Sequence, residues 1–583
     1  MQTTWDLTVL YPGLDSPAFA ADMERLSGML SDLKQAFDAF AAPDGPALPA
    51  LVRQYEEAGE LLERLLLMAE LTLSCNAQDA KADAALSRLL RENTRYRQVY
   101  HALCRLLASL DFLEERIEAE EALRARAFAL REAAQRASHL LSPALEEPVL
   151  RMQLSGGEAL SQLREKLEAT LTADYRGETL PLSAVRALAY DADASVRRDA
   201  YQAELAAYQK VELPMSTCLN SIKAEGQTMA RLRGYDGILS MTLHESRVDP
   251  RALDAMLTAL REALPGLRRY FRAKARLLGH TGGLPFYDLF APVGKDARTY
   301  TIEQARDLLL EVFGRFSPEM AEMMKTAFDE GWIDVYPRPG KRGGAFCCGC
   351  HALNISRILT NFAGSLSDVS TLAHELGHAF HDRMLAGMPR MMIDVPMPLA
   401  ETASTFNETL LSAALRAQVD PSQALTLLDA QLMETTQTLV DIYSRFLFEQ
   451  RVVAAQEDHA LSVEELKQTM LWAQEQAYGD GLDPRLRHPY MWVCKSHYYA
   501  TDMHFYNFPY AFGCLFARGL YARYEREGEA FVPSYCRLLS LCGSGTVAQI
   551  AAGAGIDVCS PGFWQSALAG VLEDVRAFEE LAT

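Results

Sequence analysis

Two imidazoles four positions apart with a carboxylate beside the first, His374-Glu375-Leu376-Gly377-His378, are the residues of this sequence best suited to chemistry. The pattern is H-E-x-x-H, which on one turn of helix builds a hydrolytic metal site. The two histidines then lie about 40° apart around the axis and about 6 Å apart along it, so both rings reach one ion. Glu375 faces the space beside that ion, where a carboxylate can take a proton from water. A hydrolytic zinc site needs one more protein ligand and an open fourth position, and the ligand must come from another segment. Glu401 is the expected third ligand, which gives one Zn2+ per chain held by His374, His378 and Glu401. Glu408, seven residues further along the same helical face, is placed to orient a ligand histidine rather than to coordinate. His381 stands about 10.5 Å along the axis from His374, too far for three rings to meet one ion. The Gly and third His that a metzincin places after its second histidine are missing.

These residues require helices to carry them. Ser365 and Asp368 offer N-caps ahead of the motif, and Leu372, Ala373, Leu376, Ala379 and Phe380 supply the buried sides of the helix. Gly377 leaves room for another backbone or for substrate. A second helix is expected over residues 394–408, with Pro near its start where a missing N–H costs nothing. The Ala, Ser, Thr and Phe around Glu401 and Glu408 are too uncharged for an ordinary exposed face. Upstream, residues 337–346 are turn-rich and residues 355–362 read as a strand. Near the metal, such an edge could grip a peptide through its main chain. Cys347, Cys348 and Cys350, followed by His351, contain C-x-x-C-H, but neither haem attachment nor a redox pair fits their surroundings. They are expected as free thiols near a substrate groove, open to oxidation or heavy metals.

The run from Asn361-Phe362-Ala363-Gly364 to His381, followed by Ala400-Glu401-Thr402-Ala403-Ser404-Thr405-Phe406-Asn407-Glu408, closely resembles the oligoendopeptidase F family, relatives of thimet oligopeptidase. The resemblance extends to Trp5-Asp6-Leu7, Leu10-Tyr11 and Arg233-Gly234-Tyr235, and so covers nearly the whole chain. It implies that Glu375 is the general base, that His374, His378 and Glu401 hold zinc, and that short peptides are cut internally. It further implies that a His and spaced tyrosines stabilise the oxyanion. His497, Tyr506 and Tyr510 fit that role best, with His504 as the alternative imidazole. Helical lobes walling in a deep substrate channel are implied as well.

With 583 residues and 49% hydrophobic content, the chain can hold sizeable cores. Its formal charge of −20 argues against nucleic acid and anionic membrane as partners. No stretch of about twenty uncharged apolar residues occurs. Eleven cysteines, an odd count, fit a reducing compartment, and with no basic and apolar leader at Met1–Asp6 a cytoplasmic location is expected. Helical periodicity dominates residues 18–137, softens over 154–178 and resumes from Asp191, where Asp249-Pro250 opens another helix. The expected fold is mainly α, a two-lobed helical body with a small β-element near the zinc. An N-terminal helical domain spans 1–190 and a catalytic domain 191–583. The expected activity is zinc-dependent endopeptidase action on oligopeptides. A carboxypeptidase and a non-catalytic peptide-binding protein are the rivals, and the oligomeric state is not readable.

Overall fold

In the computed structural model, which describes residues 2–38, 40, 48–294, 299–416 and 420–582, the Leu- and Ala-rich stretches form long helices that divide into two cores. The first core is built by Pro17–Asp38, Leu48–Cys75, Ala80–Ala108 and Ala127–Arg136. The second runs from Leu171 to Phe578 and includes Pro250–Leu277 packed on Pro561–Leu581. Leu171, Ala173, Leu182 and Val185, all before residue 190, already belong to it. Pro250–Leu277 starts as its sequence predicts, with Asp249 accepting the Arg251 N–H at 2.8 Å and Pro at the first position. The molecule is thus mainly helical and two-lobed, and none of its described helices is long and apolar enough to cross a membrane.

Five strands occur among the described residues: β1 (Thr172–Tyr175), β2 (Glu178–Pro181), β3 (Ile333–Asp334), β4 (Phe346–Cys350) and β5 (Ile355–Leu359). The β1–β2 hairpin falls outside the 330–362 region where the sequence predicts strands. Its two-residue turn, Arg176-Gly177, has φ of +51° and +87°, the pair of left-handed residues that matches the twist of a tight hairpin. The other sheet has the order β3-β5-β4, parallel between β3 and β5 and antiparallel between β5 and β4. This corrects the expected edge: residues 355–359 are the centre strand, and the unpaired edge near the motif helix is β4, which carries the cysteines.

The sheet joins the two lobes. Cys350 and Leu359 lie in the first core, whereas Ile333 and Ile358 lie in the second. The N-terminal segment straps across, with the Val335 N–H donating to Thr3 O at 3.0 Å and Arg357 donating twice to Asp6 O at 3.0 and 2.8 Å. The turn-rich loop ahead of β4 is pinned by Ala77 N–H to Gly340 O (2.8 Å) and Arg342 N–H to Ser74 O (2.9 Å). The metal motif therefore lies beneath a sheet that both lobes hold.

Candidate metal centre

The motif helix, Leu366–Met384, begins at a capping box in which Ser365 Oγ accepts the Asp368 N–H (3.1 Å) and Asp368 Oδ2 accepts the Ser365 N–H (2.9 Å). Val369, Leu372, Ala373, Leu376 and Phe380 are buried, which turns the other face, with both histidines, toward the helix Thr402–Arg416. Gly377 sits at that crossing. A Cβ there would stand 2.6 Å from Ser404 Cα and 2.7 Å from Ala403 O, so the backbones can approach only over a glycine. Asn407 Nδ2 donates to Ala373 O at 3.0 Å and pins the same crossing. The expected single helix over 394–408 is interrupted: Met397–Ala400 stops, Glu401 has φ −87° and ψ 8°, and a new helix starts at Thr402.

This crossing brings three donor atoms together. His374 Nε2 and His378 Nε2 are 3.2 Å apart, and each lies 3.3 Å from Glu401 Oε2. Three ligands at tetrahedral corners with bonds of about 2.0–2.1 Å lie about 3.3 Å from one another, so the set fits a zinc-sized ion. Among the described residues, no other group of three His, Cys, Asp or Glu side chains gathers in this way. Glu408 Oε1 is 2.9 Å from His374 Nδ1, which directs the Nε2 lone pair toward the shared centre. Burial pushes His374 down, yet the carboxylates of Glu401 and Glu408 raise it to about 11. Burial pushes Glu401 up, and the two imidazoles hold it far below the usual carboxylate range. Glu375 is 6% exposed, and its carboxyl is raised by burial against the pull of both imidazoles.

Facing this centre is the aromatic cluster. The His497 and Tyr506 ring centroids are 5.0 Å apart, those of His497 and Tyr510 5.8 Å, and those of the two tyrosines 5.9 Å. Tyr510 is carried by the helix Phe508–Glu527, which docks closely at Gly513, where a Cβ would stand 3.1 Å from Pro398 O and 3.4 Å from Glu401 Cβ. Burial raises the Tyr510 phenol, and Tyr506 and the Glu401 carboxylate add to it, so it stays a proton donor. Burial lowers His497 to about 4, with Arg445 and Lys495 contributing, so its ring is neutral near pH 7.

A family model described as Peptidase family M3 matches residues 187–570, about two thirds of the chain. The chain belongs to peptidase family M3. It hydrolyses peptide bonds, as that family does. This M3 peptidase is 25% identical to an oligoendopeptidase F homolog of Lactococcus lactis subsp. lactis (strain IL1403), over 97% of its own length and 94% of the relative's. It is 28% identical to oligopeptidase PepF of Bacillus subtilis (strain 168), over 66% of the chain and 58% of that relative. Its fold matches a crystallised protein of Chlamydophila abortus with a TM-score of 0.85 at 22% identity, covering 99% and 98% of the two chains. The crystal structure of oligoendopeptidase F from Enterococcus faecium matches with a TM-score of 0.71 at 19% identity, covering 97% and 98%.

The alternative imidazole of this M3 peptidase lies elsewhere. His504 is buried with Nδ1 3.2 Å from Lys223 Nζ and its ring against Gly226, while His497 is the one beside the tyrosines. His381 is buried and outside the ligand triangle, lowered to about 4 by burial and by His378. The three β4 cysteines are free. Burial raises the Cys347 thiol, with Asp382, Cys348 and Glu375 adding to it, and burial raises Cys348 to about 12. They are thiols rather than reactive thiolates, with the Glu375 carboxyl close by. Two residues of the centre had no motif to mark them. Ser404 Oγ donates to Glu401 Oε2 at 2.8 Å, and its place one turn after Glu401 is the signal that could have found it. Glu434, on the helix Pro421–Thr436, is raised to about 7 by burial and by Glu408, and nothing local in sequence points to it.

Proposed function

We propose that this M3 peptidase is a zinc-dependent endopeptidase that cuts internal bonds of oligopeptides. The mutual 3.2–3.3 Å spacing of His374 Nε2, His378 Nε2 and Glu401 Oε2 carries the reading. Zinc held there supplies Lewis acidity, which activates water near neutral pH and polarises a peptide carbonyl. Glu375 accepts the proton of the attacking water and delivers it to the leaving amine. His497, Tyr506 and Tyr510 donate hydrogen bonds to the carbonyl oxygen as negative charge grows on it. Glu408 and Ser404 keep the ligands in place throughout.

Oligopeptides are the proposed substrates because the relatives matched along most of their length carry the name oligoendopeptidase F. The unpaired edge of β4 supports main-chain recognition, which accepts varied side chains. A cytoplasmic setting, one zinc per chain and a catalytic domain beginning near residue 190 complete the proposal. A fluorescence-quenched peptide of about ten residues is incubated with the protein, with and without a zinc chelator, beside casein. Internal cleavage of the peptide that stops with the chelator and spares casein is expected. Stepwise release of single C-terminal residues would show a carboxypeptidase instead, and cleavage indifferent to the chelator would remove the zinc mechanism.

A further inference from the structure

Tyr506 sits in a short segment fastened on both sides to one helical face. On its N-terminal side, the Phe505 N–H donates to Glu449 Oε1 at 2.9 Å, and Glu449 pairs with Lys223 at 2.6 Å. The His504 carbonyl accepts Thr242 Oγ1 at 3.0 Å. On its C-terminal side, Asn507 Oδ1 accepts Arg445 Nη1 at 3.0 Å. The same guanidinium holds Asp441 Oδ2 through Nε (2.7 Å) and Nη2 (2.5 Å). Arg445 and Glu449 are one turn apart on the helix Ile442–Ala455.

The segment is also strained at one point. Phe505 has φ +51°, a left-handed conformation rare for a bulky side chain and kept only where the surroundings over-determine it. Its ring packs 5.4 Å from Phe446, on the same helix. Asn507 is the residue before the helix that carries Tyr510, and its carbonyl accepts the Tyr510 N–H at 3.2 Å. Whatever fixes Phe505 and Asn507 therefore fixes both phenols.

We propose that Arg445 and Glu449 are positioning residues, a two-point clamp that holds Phe505 and Asn507 so that Tyr506 and Tyr510 are aimed before substrate arrives. The clamp rests on the reading above in which these tyrosines act on the substrate carbonyl. Donors already in place need no reorganisation during the reaction, which is where such a clamp acts on rate. Asp441 and Lys223 balance the two charges, so the clamp supplies geometry.

Asn507→Ala tests it without leaving a buried charge unpaired, because Asp441 still holds Arg445. A loss of kcat of roughly 10- to 100-fold is expected with KM nearly unchanged, and Asn507→Asp, which keeps an acceptor, restores most of it. In a background carrying both Tyr506→Phe and Tyr510→Phe, Asn507→Ala costs little more, since it acts through those two phenols. Amide exchange over residues 504–508 of the zinc-free protein speeds up in Asn507→Ala while the motif helix is unaffected, a readout independent of turnover. Full activity of Asn507→Ala beside an impaired Tyr506→Phe overturns the clamp alone, as does an equal loss in both backgrounds. Full activity of both Tyr506→Phe and Tyr510→Phe removes the reading beneath it and the clamp with it. Arg445→Lys, which keeps the charge beside Asp441 but shortens the reach to Asn507, is expected to reproduce the kcat loss; unchanged kcat there also overturns the clamp.

Discussion

Single atoms decide the chemistry of this centre. Glu375 is buried beside His374 and His378 but outside their group with Glu401, so the proposed role of base can be separated from metal binding. Glu375→Gln is expected to keep its zinc, measured by atomic absorption, and to lose roughly 10²- to 10⁴-fold in kcat. Glu408 holds the far nitrogen of His374 and lies outside the metal-binding group, and Glu408→Ala should weaken zinc binding by about 10- to 100-fold in a chelator competition while leaving the fold intact. His497 gives a pH signature. Its value falls from 6.5 unfolded to about 4 folded, so between those pH values the unfolded chain binds a proton that the folded chain refuses. Stability from this group is complete above about pH 6.5 and is lost as pH falls toward 4. The urea midpoint should therefore drop between pH 7 and 5, and by less in His497→Gln.

Helix crossings decide whether those atoms meet. The Leu366–Met384 and Thr402–Arg416 helices approach only because Gly377 has no Cβ to strike Ser404 Cα. Gly377→Ala forces them apart and moves Glu401 away from both imidazoles. The expected cost is about 1–3 kcal/mol of stability together with weaker zinc binding, read by thermal unfolding with and without added zinc. Full stability and unchanged zinc affinity would show that the crossing tolerates a methyl group. The break of helix at Glu401 belongs to the same scale: Ser404 Oγ holds both the backbone carbonyl (3.1 Å) and the carboxylate (2.8 Å) where the chain turns.

Across the molecule, the two cores are tied by Arg247. It is 8% exposed, grips Glu132 of the first lobe through Nε and Nη2 at 2.5 and 2.6 Å, and donates to Asp394 O at 2.6 Å on the approach to Glu401. Removing it leaves the Glu132 carboxylate without its partner, so Arg247→Ala should cost about 3 kcal/mol. A double-mutant cycle with Glu132→Ala measures the pair directly, and additive losses would show that the pair contributes nothing to joining the lobes.

The meeting of His374 and His378, the place of Glu375 beside them and the capped motif helix are legible in sequence because each depends on spacing along one helix, where 3.6 residues per turn fixes geometry locally. Glu401 is legible too, since its uncharged surroundings mark an inward face. The β1–β2 hairpin escapes a sequence reading because Arg176-Gly177 lacks the usual Asn-Gly or Asp-Gly signal, and β5 reads as an edge because strand order is set by pairing with distant β3. The choice between His497 and His504 likewise belongs to the tertiary structure. Both lie in one aromatic run, and only the packing of His504 against Gly226 and Lys223 leaves His497 beside the tyrosines. What repeats along a helix is written in the chain itself, whereas which distant surfaces meet depends on how whole elements pack.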